Sequence, residues 1–423
     1  MKNRTLLWLA RALALCSVFN FGFSPVFAQG SLTPQGAPVP TMKTLAQIEP
    51  RTPISSAPFT INQSGSYYLT TNIAVSSGNA ITIATNGVTL DLNGFTISST
   101  EASPTGTGIL LGSGATDIII RNGHIQGQVA YNAGVYSGSG FANGIEESAF
   151  SPPFNVRVSG VAVSGCLDDG IAVGPNSTVV ESCTVRIVGG YGIEADTVVH
   201  STAELCGSDA IRADTVADSF GNCAGGGDGI DASFTVKNSS GFSNTGTGLS
   251  TATANNCYGV SLFGDGIDAD VASGSEGDNL GGGSGNGISA AATAQNCSGT
   301  ATGGGIGVDA RYSVENCYGI SDSGYGISAG SAFNCYGATS GGGIGVNANT
   351  AQNCWGTSTG SGTGVNAFNA QNCYGTSSSG VGINAATAAY CTGSGGTAIN
   401  ANIGTGCLAA AGTNNITHKY NMP

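Results

Sequence analysis

Residues 345–385 read GVNANTAQNCWGTSTGSGTGVNAFNAQNCYGTSSSGVGINA, and the stretch copies itself. Gly-Val-Asn-Ala returns as Gly-Val-Asn-Ala and then as Gly-Ile-Asn-Ala, while Gln-Asn-Cys-Trp-Gly-Thr-Ser returns as Gln-Asn-Cys-Tyr-Gly-Thr-Ser. Alternation within one copy predicts a strand with Val346 and Ala348 inward and Asn347 outward. Asn353, a residue type that tolerates the left-handed conformation, marks a bend, after which Cys354 points in and Trp355 points out. Working outward, the branched aliphatic that opens each copy falls at Ile171, Ile193, Ile211, Ile230, Leu249, Ile267, Ile288, Val308, Ile327, Val346, Val365, Ile383 and Ile399, a mean spacing of 19.0 residues. Short apolar strands and Gly/Ser/Thr turns at such a period are the mark of a solenoid whose coils stack on one another. Stacking turns each repeated residue into a row along the axis at the ~4.8 Å strand spacing, so chemistry has to be sought in rows.

Composition supports one elongated body. The chain has 423 residues, 70 of them Gly, yet 40% are hydrophobic and recur periodically, so a core is available. Residues 1–28 read as a secretory signal, with basic Lys2, Arg4 and Arg11, an apolar Leu13-to-Phe23 run, and small residues before Gln29. Retained, the same segment would act as an anchor. Its removal takes the formal charge from −13 to −16, because it holds three basic residues and no acidic one. Nucleic acid and anionic membranes are then poor partners, since phosphate contacts need clustered Lys/Arg. No segment after the signal has the ~20 apolar residues of a membrane span.

Twelve cysteines follow the signal: Cys166, Cys183, Cys206, Cys223, Cys257, Cys297, Cys317, Cys335, Cys354, Cys373, Cys391 and Cys407. Their spacing predicts a single row of buried free thiols, with Ser239 and Ser275 filling two vacancies. Parallel neighbours at ~4.8 Å exceed the ~3.8 Å Cβ separation of a disulfide, and no paired short spacing suits zinc. Asn precedes this row at Asn222, Asn238, Asn256, Asn296, Asn316, Asn334, Asn353 and Asn372, which predicts eight amides stacked in a buried bend.

The expected organisation is a signal (1–28), a Pro-rich linker (29–50) and a β-helix over 51–410. Residues 51–105 would form the N-terminal cap and first coils, 126–157 an aromatic insertion, and 411–423 a C-terminal tail. An asparagine ladder, apolar columns and a coil near twenty residues resemble right-handed parallel β-helix proteins of the pectate-lyase-like superfamily. The stretches Val88-Thr89-Leu90-Asp91-Leu92-Asn93-Gly94-Phe95-Thr96-Ile97 and Ile120-Arg121-Asn122-Gly123-His124-Ile125 are similar to the opening of bacterial secreted members. The resemblance implies the fold over about 54–410; it implies no single activity, because the superfamily holds lyases, hydrolases, adhesins and proteins without a known reaction.

Several rows are candidates for chemistry. Asp169, Asp209, Asp228 and Asp265 precede the Gly/Ala-Ile step, and Glu194, Arg212, Asp231, Asp268 and Asp309 follow it. Asp209 and Asp228 lie on adjacent coils, at the ~5 Å carboxylate separation of a retaining glycosidase, whereas Arg212 between Glu194 and Asp231 reads as a surface ion-pair row. Cys166-Leu167-Asp168-Asp169-Gly170 resembles the paired aspartates of polygalacturonases, but the Asn-Thr-Asp, Gly-His-Gly and Arg-Ile-Lys motifs of those enzymes are missing. Pectate lyases pair calcium-binding acids with a basic proton abstractor, for which Arg186 or Arg212 would serve. Gly-Asp-Gly-Ile-Asp-Ala at 227–232 and 264–269 suggests calcium weakly, since the two copies stand two coils apart and share no ion. Tyr318, Tyr336, Trp355 and Tyr374, with Tyr258 earlier, form an aromatic row suited to stacking on sugar rings or on one another. Asn347, Asn366, Asn384 and Asn400 form an exposed amide row. An ice-binding face would need regular Thr-x-Thr, and the threonines sit mainly in turns.

The expectation is a secreted, all-β, single-stranded right-handed parallel β-helix with a binding or surface-structural role and no required cofactor. Contact would be with a polysaccharide or cell-surface glycan through the aromatic and amide rows. The alternative is a polysaccharide lyase or glycoside hydrolase working on coils 168–231 beneath the aromatic insertion.

Overall fold

The computed structural model describes residues 49–148 and 151–422. The expected signal and nearly all of the expected linker lie outside them. The strands all belong to the compact unit that begins at Arg51. Among the described residues every regular element is a strand, and all but two of the strands join one sheet of 36. Strands pair in parallel with their counterparts in the next coil: Val308 with Ile327, Ile327 with Val346, Val346 with Val365. The chain thus winds as a right-handed parallel β-helix, the hand that parallel crossovers adopt almost without exception.

The aliphatic row holds as read. Ile171 through Ile399 pair coil by coil, and each member is 0% exposed. The column also extends back through Ile145, Ile109 and Ile81 to Phe59. Two facing glycine columns keep the later coils thin. A Cβ on Gly356 would stand 2.0 Å from the Gly364 carbonyl oxygen, so no side chain is tolerated there. Turns are tied by an inward hydroxyl column. Ser261 Oγ donates to the Gly246 carbonyl at 2.6 Å and accepts the Gly264 N–H at 2.8 Å, and Ser321 repeats the pattern with Gly305 and Gly324.

The cysteines occupy two columns, which corrects the single row expected. Cys183, Ser201, Ser219, Ser239, Cys257, Ser275 and then Cys297, Cys317, Cys335, Cys354, Cys373, Cys391 and Cys407 share one position, just after the bend. Cys166, Cys206 and Cys223 sit in the other, in line with Val188 and Ser243. Both columns repeat with the coil, so spacing cannot separate them; strand register does. All twelve are free and buried. Cys373 and Cys391 are pushed up to about 11, first by hydrogen bonding with the thiol one coil back, whereas hydrogen bonding with the thiol one coil on lowers Cys297 and Cys335.

The asparagine ladder exists with changed membership and exposure. Asn316, Asn334, Asn353 and Asn372 each donate to the amide oxygen one coil back, at 3.1–3.3 Å, beginning from Asn296. These side chains face solvent, because a left-handed bend residue (φ 51–55°) throws its side chain out of the corner. Asn222 lies instead within the strand Phe220–Cys223, opposite Glu204, and Asp218 takes the bend position.

Two boundaries shift. The last coil continues as the strand Leu408–Tyr420, paired in parallel with Thr392–Thr405, where a tail from 411 was expected. Among the described residues of 126–157, a short excursion leaves the stack as the antiparallel hairpin Ala130–Asn132 with Val135–Ser137. Asn143–Glu147 returns to register with Thr107–Leu111, and Phe154–Cys166 pairs with Thr116–Gln126.

Ser261→Ala removes the partner of two half-buried N–H groups, of Phe263 and Gly264, and of one carbonyl. It should cost about 1–3 kcal/mol, read as a lower denaturation midpoint; an unchanged midpoint would refute the role given to the hydroxyl column.

Candidate functional site

The acid row turns out to be part of the backbone ladder. Each side chain accepts the N–H of the equivalent residue one coil on: Asp169 Oδ1 from Tyr191 at 2.7 Å, Asp209 Oδ1 from Asp228 at 2.8 Å, Asp228 Oδ1 from Thr247 at 2.7 Å, Asp265 Oδ1 from Asn286 at 2.6 Å. Asn143 and Asn286 serve the same purpose for Asp169 and Ile306. The chemistry these residues share is therefore one oxygen acceptor, and a carboxylate or an amide supplies it equally. Burial pushes Asp169 up to about 6 against the opposing Tyr191 hydrogen bond, with Asp168, Glu194 and Glu146 adding to the rise. Asp228 is likewise pushed up to about 6 by burial, opposed by Thr247 and reinforced by Asp209, Asp231 and Asp268.

Arg212 is not brought to these oxygens. It stands in register between Glu194 and Asp231, on the outward face of the strand Ile211–Ala217. Its Nη1 donates to the Tyr191 hydroxyl at 2.9 Å and lies 4.0 Å from Glu194 Oε1, with the guanidinium 5.2 Å from the Tyr191 ring centre. A cavity of about 250 Å³ opens here, lined by Pro175, Glu194, Arg212, Asp214 and Asp231 among others. Neither Asp169, Asp209 nor Asp228 lines it, and neither does the aromatic hairpin. That hairpin docks elsewhere, through Tyr136, whose hydroxyl donates to the Leu205 carbonyl at 3.0 Å and whose pKa is raised by burial. Among the described residues no three His, Cys, Asp or Glu side chains converge as a metal site.

The aromatic row is in register: Tyr318, Tyr336, Trp355 and Tyr374 follow one another on four coils. Tyr318 and Tyr336 stack plane on plane at 5.0 Å and 11°. Their faces therefore look along the axis and are engaged with each other. Trp355 breaks the pile, tilted 57° from Tyr336 and 72° from Tyr374, and is 50% exposed.

The amide row forms a second, half-buried ladder. Asn366, Asn384, Asn400 and Asn415 each donate to the amide one coil back at 2.7–2.8 Å, starting from Asn347. Each internal amide spends one N–H and one lone pair on the ladder and keeps one of each for a ligand. A groove of about 440 Å³ lies along it, bordered on the far side by the corner residues Asn349, Phe368 and Asn402. Phe368 is 66% exposed. Sequence reasoning found the amide row and missed these corner residues. Their only signal is position: each follows the inward alanine that comes after a ladder asparagine.

No known family profile matches the chain, and no curated protein does. Among solved structures, the A-module of the mannuronan C-5 epimerase AlgE6 of Azotobacter vinelandii is similar, at 12% identity over 85% of this chain and 90% of that one, with a TM-score of 0.28. At that score the likeness carries no argument, and the fold rests on the strand pairing above.

A carboxyl raised in the folded state binds its proton more tightly there, so Asp228 favours folding at acid pH. That contribution is lost as pH rises from the ordinary carboxylate range near 4 through about 6. Asp228→Asn keeps the acceptor and removes the charge. Its melting temperature should exceed the parent's at pH 7–8 and converge with it below about pH 4; a lower value at neutral pH would show that the charge itself is needed.

Proposed function

We propose that this is an exported β-helix with a binding or surface-structural role, which contacts polysaccharide through the amide-lined groove of its last coils, with the aromatic row as a second contact. The observation that carries the reading is the groove beside Asn347, Asn366, Asn384 and Asn400, about 440 Å³ in volume with Phe368 on its rim. Amides with spare donors and acceptors match the hydroxyls of a sugar, and an exposed ring supplies an apolar face for stacking. Successive amides repeat at the ~4.8 Å strand spacing, so an extended chain laid along the axis meets equivalent partners at each coil. The charge of −16 without the leader favours a neutral glycan over a strongly acidic one. In the aromatic row, Trp355 is the member with its ring turned off the axis, and it is the one offered for stacking.

The catalytic alternative, a polysaccharide lyase or glycoside hydrolase using Asp169, Asp209, Asp228 and Arg212, finds less support. The first three each commit an oxygen to the backbone of the next coil, and Arg212 is held by Tyr191 and Glu194 in a separate cavity.

Purified protein should be retained by at least one neutral polysaccharide in a panel that includes acidic ones. Phe368→Ala should weaken retention about two- to tenfold, as expected for loss of a stacking contact of roughly 0.5–1.5 kcal/mol. Trp355→Ala measures the aromatic row separately. Binding indifferent to both changes would remove the groove and the row alike. New reducing or unsaturated ends, abolished by Asp209→Ala, would replace this reading with the catalytic one.

A further inference from the structure

Arginines hold four acids of the earlier coils: Arg121 pairs with Asp91, Arg157 with Glu181, Arg186 with Glu204 and Arg212 with Glu194. Asp268 and Asp270 are different. Among the described residues neither stands in an ion pair. Both line a cavity of about 410 Å³ with Ser233, Ser250 and Thr251, and no basic side chain borders it. Partial burial raises the Asp268 carboxyl against an opposing hydrogen bond with Ser289, and the charge of Asp270 adds to the rise. Two like charges thus share a space that lacks a counter-ion.

The register of the coils builds this cavity. Asp231, Ser250, Asp268 and Ser289 succeed one another along the outward row, so Ser250 lies between two carboxylates. The inward neighbour of that row is alanine at Ala213, Ala232, Ala269, Ala290 and Ala310, and Thr251 breaks the run. Thr251 is 8% exposed and lines the cavity, and its Oγ1 is enclosed without a hydrogen-bond partner. A buried hydroxyl left in that state costs about 1–3 kcal/mol. Its hydroxyl and methyl share one carbon, so a single staggered step of χ1 turns the oxygen to the cavity side.

Two carboxylates and one hydroxyl are acceptors around one space, the complement of the three N–H donors of a primary ammonium group. Calcium asks for roughly six to eight oxygens, and among the described residues no third acid converges here. Ser233 and Ser250 add hydroxyls on the same wall, which match a hydroxylated ring better than a bare alkyl chain.

We propose that this cavity binds the primary ammonium group of an amino sugar. Asp268 and Asp270 supply the charge, Thr251 Oγ1 takes the remaining N–H, and Ser233 and Ser250 meet ring hydroxyls. The amide groove carries the neutral counterpart of the site, since Asn347-Ala348-Asn349 stands in the rows of Asp268-Ala269-Asp270 three coils earlier in the acid–hydroxyl series. This inference uses other residues than the glycan-binding reading and is independent of it.

The test titrates the full chain calorimetrically at about pH 6.5, where amines are protonated, with a glucosamine hexamer, its fully N-acetylated form, spermidine and calcium chloride. The glucosamine hexamer should bind. Asp268→Asn/Asp270→Asn, which copies the sequence at 347–349 and should fold as the parent does by its melting curve, should weaken it roughly two- to thirtyfold, as for two lost charge pairs. Glu276→Gln/Glu315→Gln removes the same charge away from the cavity and should change the affinity less than about twofold, whatever general attraction the acidic surface exerts. Any binding of the N-acetylated hexamer should be indifferent to the Asp268/Asp270 change. A parent that does not bind the glucosamine hexamer, or two double variants that weaken it equally, would overturn the proposal. Spermidine held as tightly as the hexamer would give the site to polyamines, and calcium bound in its place would give it to a metal; either result defeats the amino-sugar assignment.

Discussion

Registered parallel pairing between coils is the constraint on which every other feature of this structure depends. Because every backbone N–H and carbonyl in a strand is shared with the coils on either side, the chain cannot shift one coil without breaking a run of hydrogen bonds. Side chains then have no choice of neighbour: each lies on its own counterpart. Aliphatics stack on aliphatics at Ile171 to Ile399, amides on amides at Asn347 to Asn415, rings on rings at Tyr318 to Tyr374.

That constraint converts composition into geometry. A buried polar group in a globular core needs an individually arranged partner, whereas here one satisfactory arrangement is copied coil after coil. The hydroxyl column at Ser243, Ser261, Ser321 and Ser377 solves the glycine turn once and repeats the solution. The acid row caps the backbone by the same economy, which is why asparagine and aspartate exchange freely along it. A periodic acid in a β-helix is thus first an acceptor for the next coil, and its elevated pKa reports burial.

The proposed contact lies where copying fails to use up the side chain's chemistry. The ladder asparagines are half satisfied by one another, and their remaining donors and acceptors open onto a groove. Tyr318 and Tyr336 are the opposite case, since stacking engages the faces that a sugar would want. The sulfur column is satisfied in the same repeated way, each thiol donating to carbonyls while Cys317 also accepts the Cys297 N–H.

The amino-acid sequence alone determined the coil: its length, its inward residues Val346, Ala348 and Cys354, its bend at Asn353 and its outward Trp355, because a strict repeat with alternating polarity has one way to bury its apolar side. It also determined which residues stand in register wherever a unique residue marked the phase, as the Gly-Ile step does. It did not separate Cys166, Cys206 and Cys223 from the longer sulfur column, because two positions in one coil share the same period. Tertiary structure alone decided which way the bend amides face, that Asp209 is occupied by the N–H of Asp228, and that Phe368 borders a groove. Those outcomes depend on backbone conformation at corners and on contacts between coils, and neither leaves a periodic trace in the order of residues.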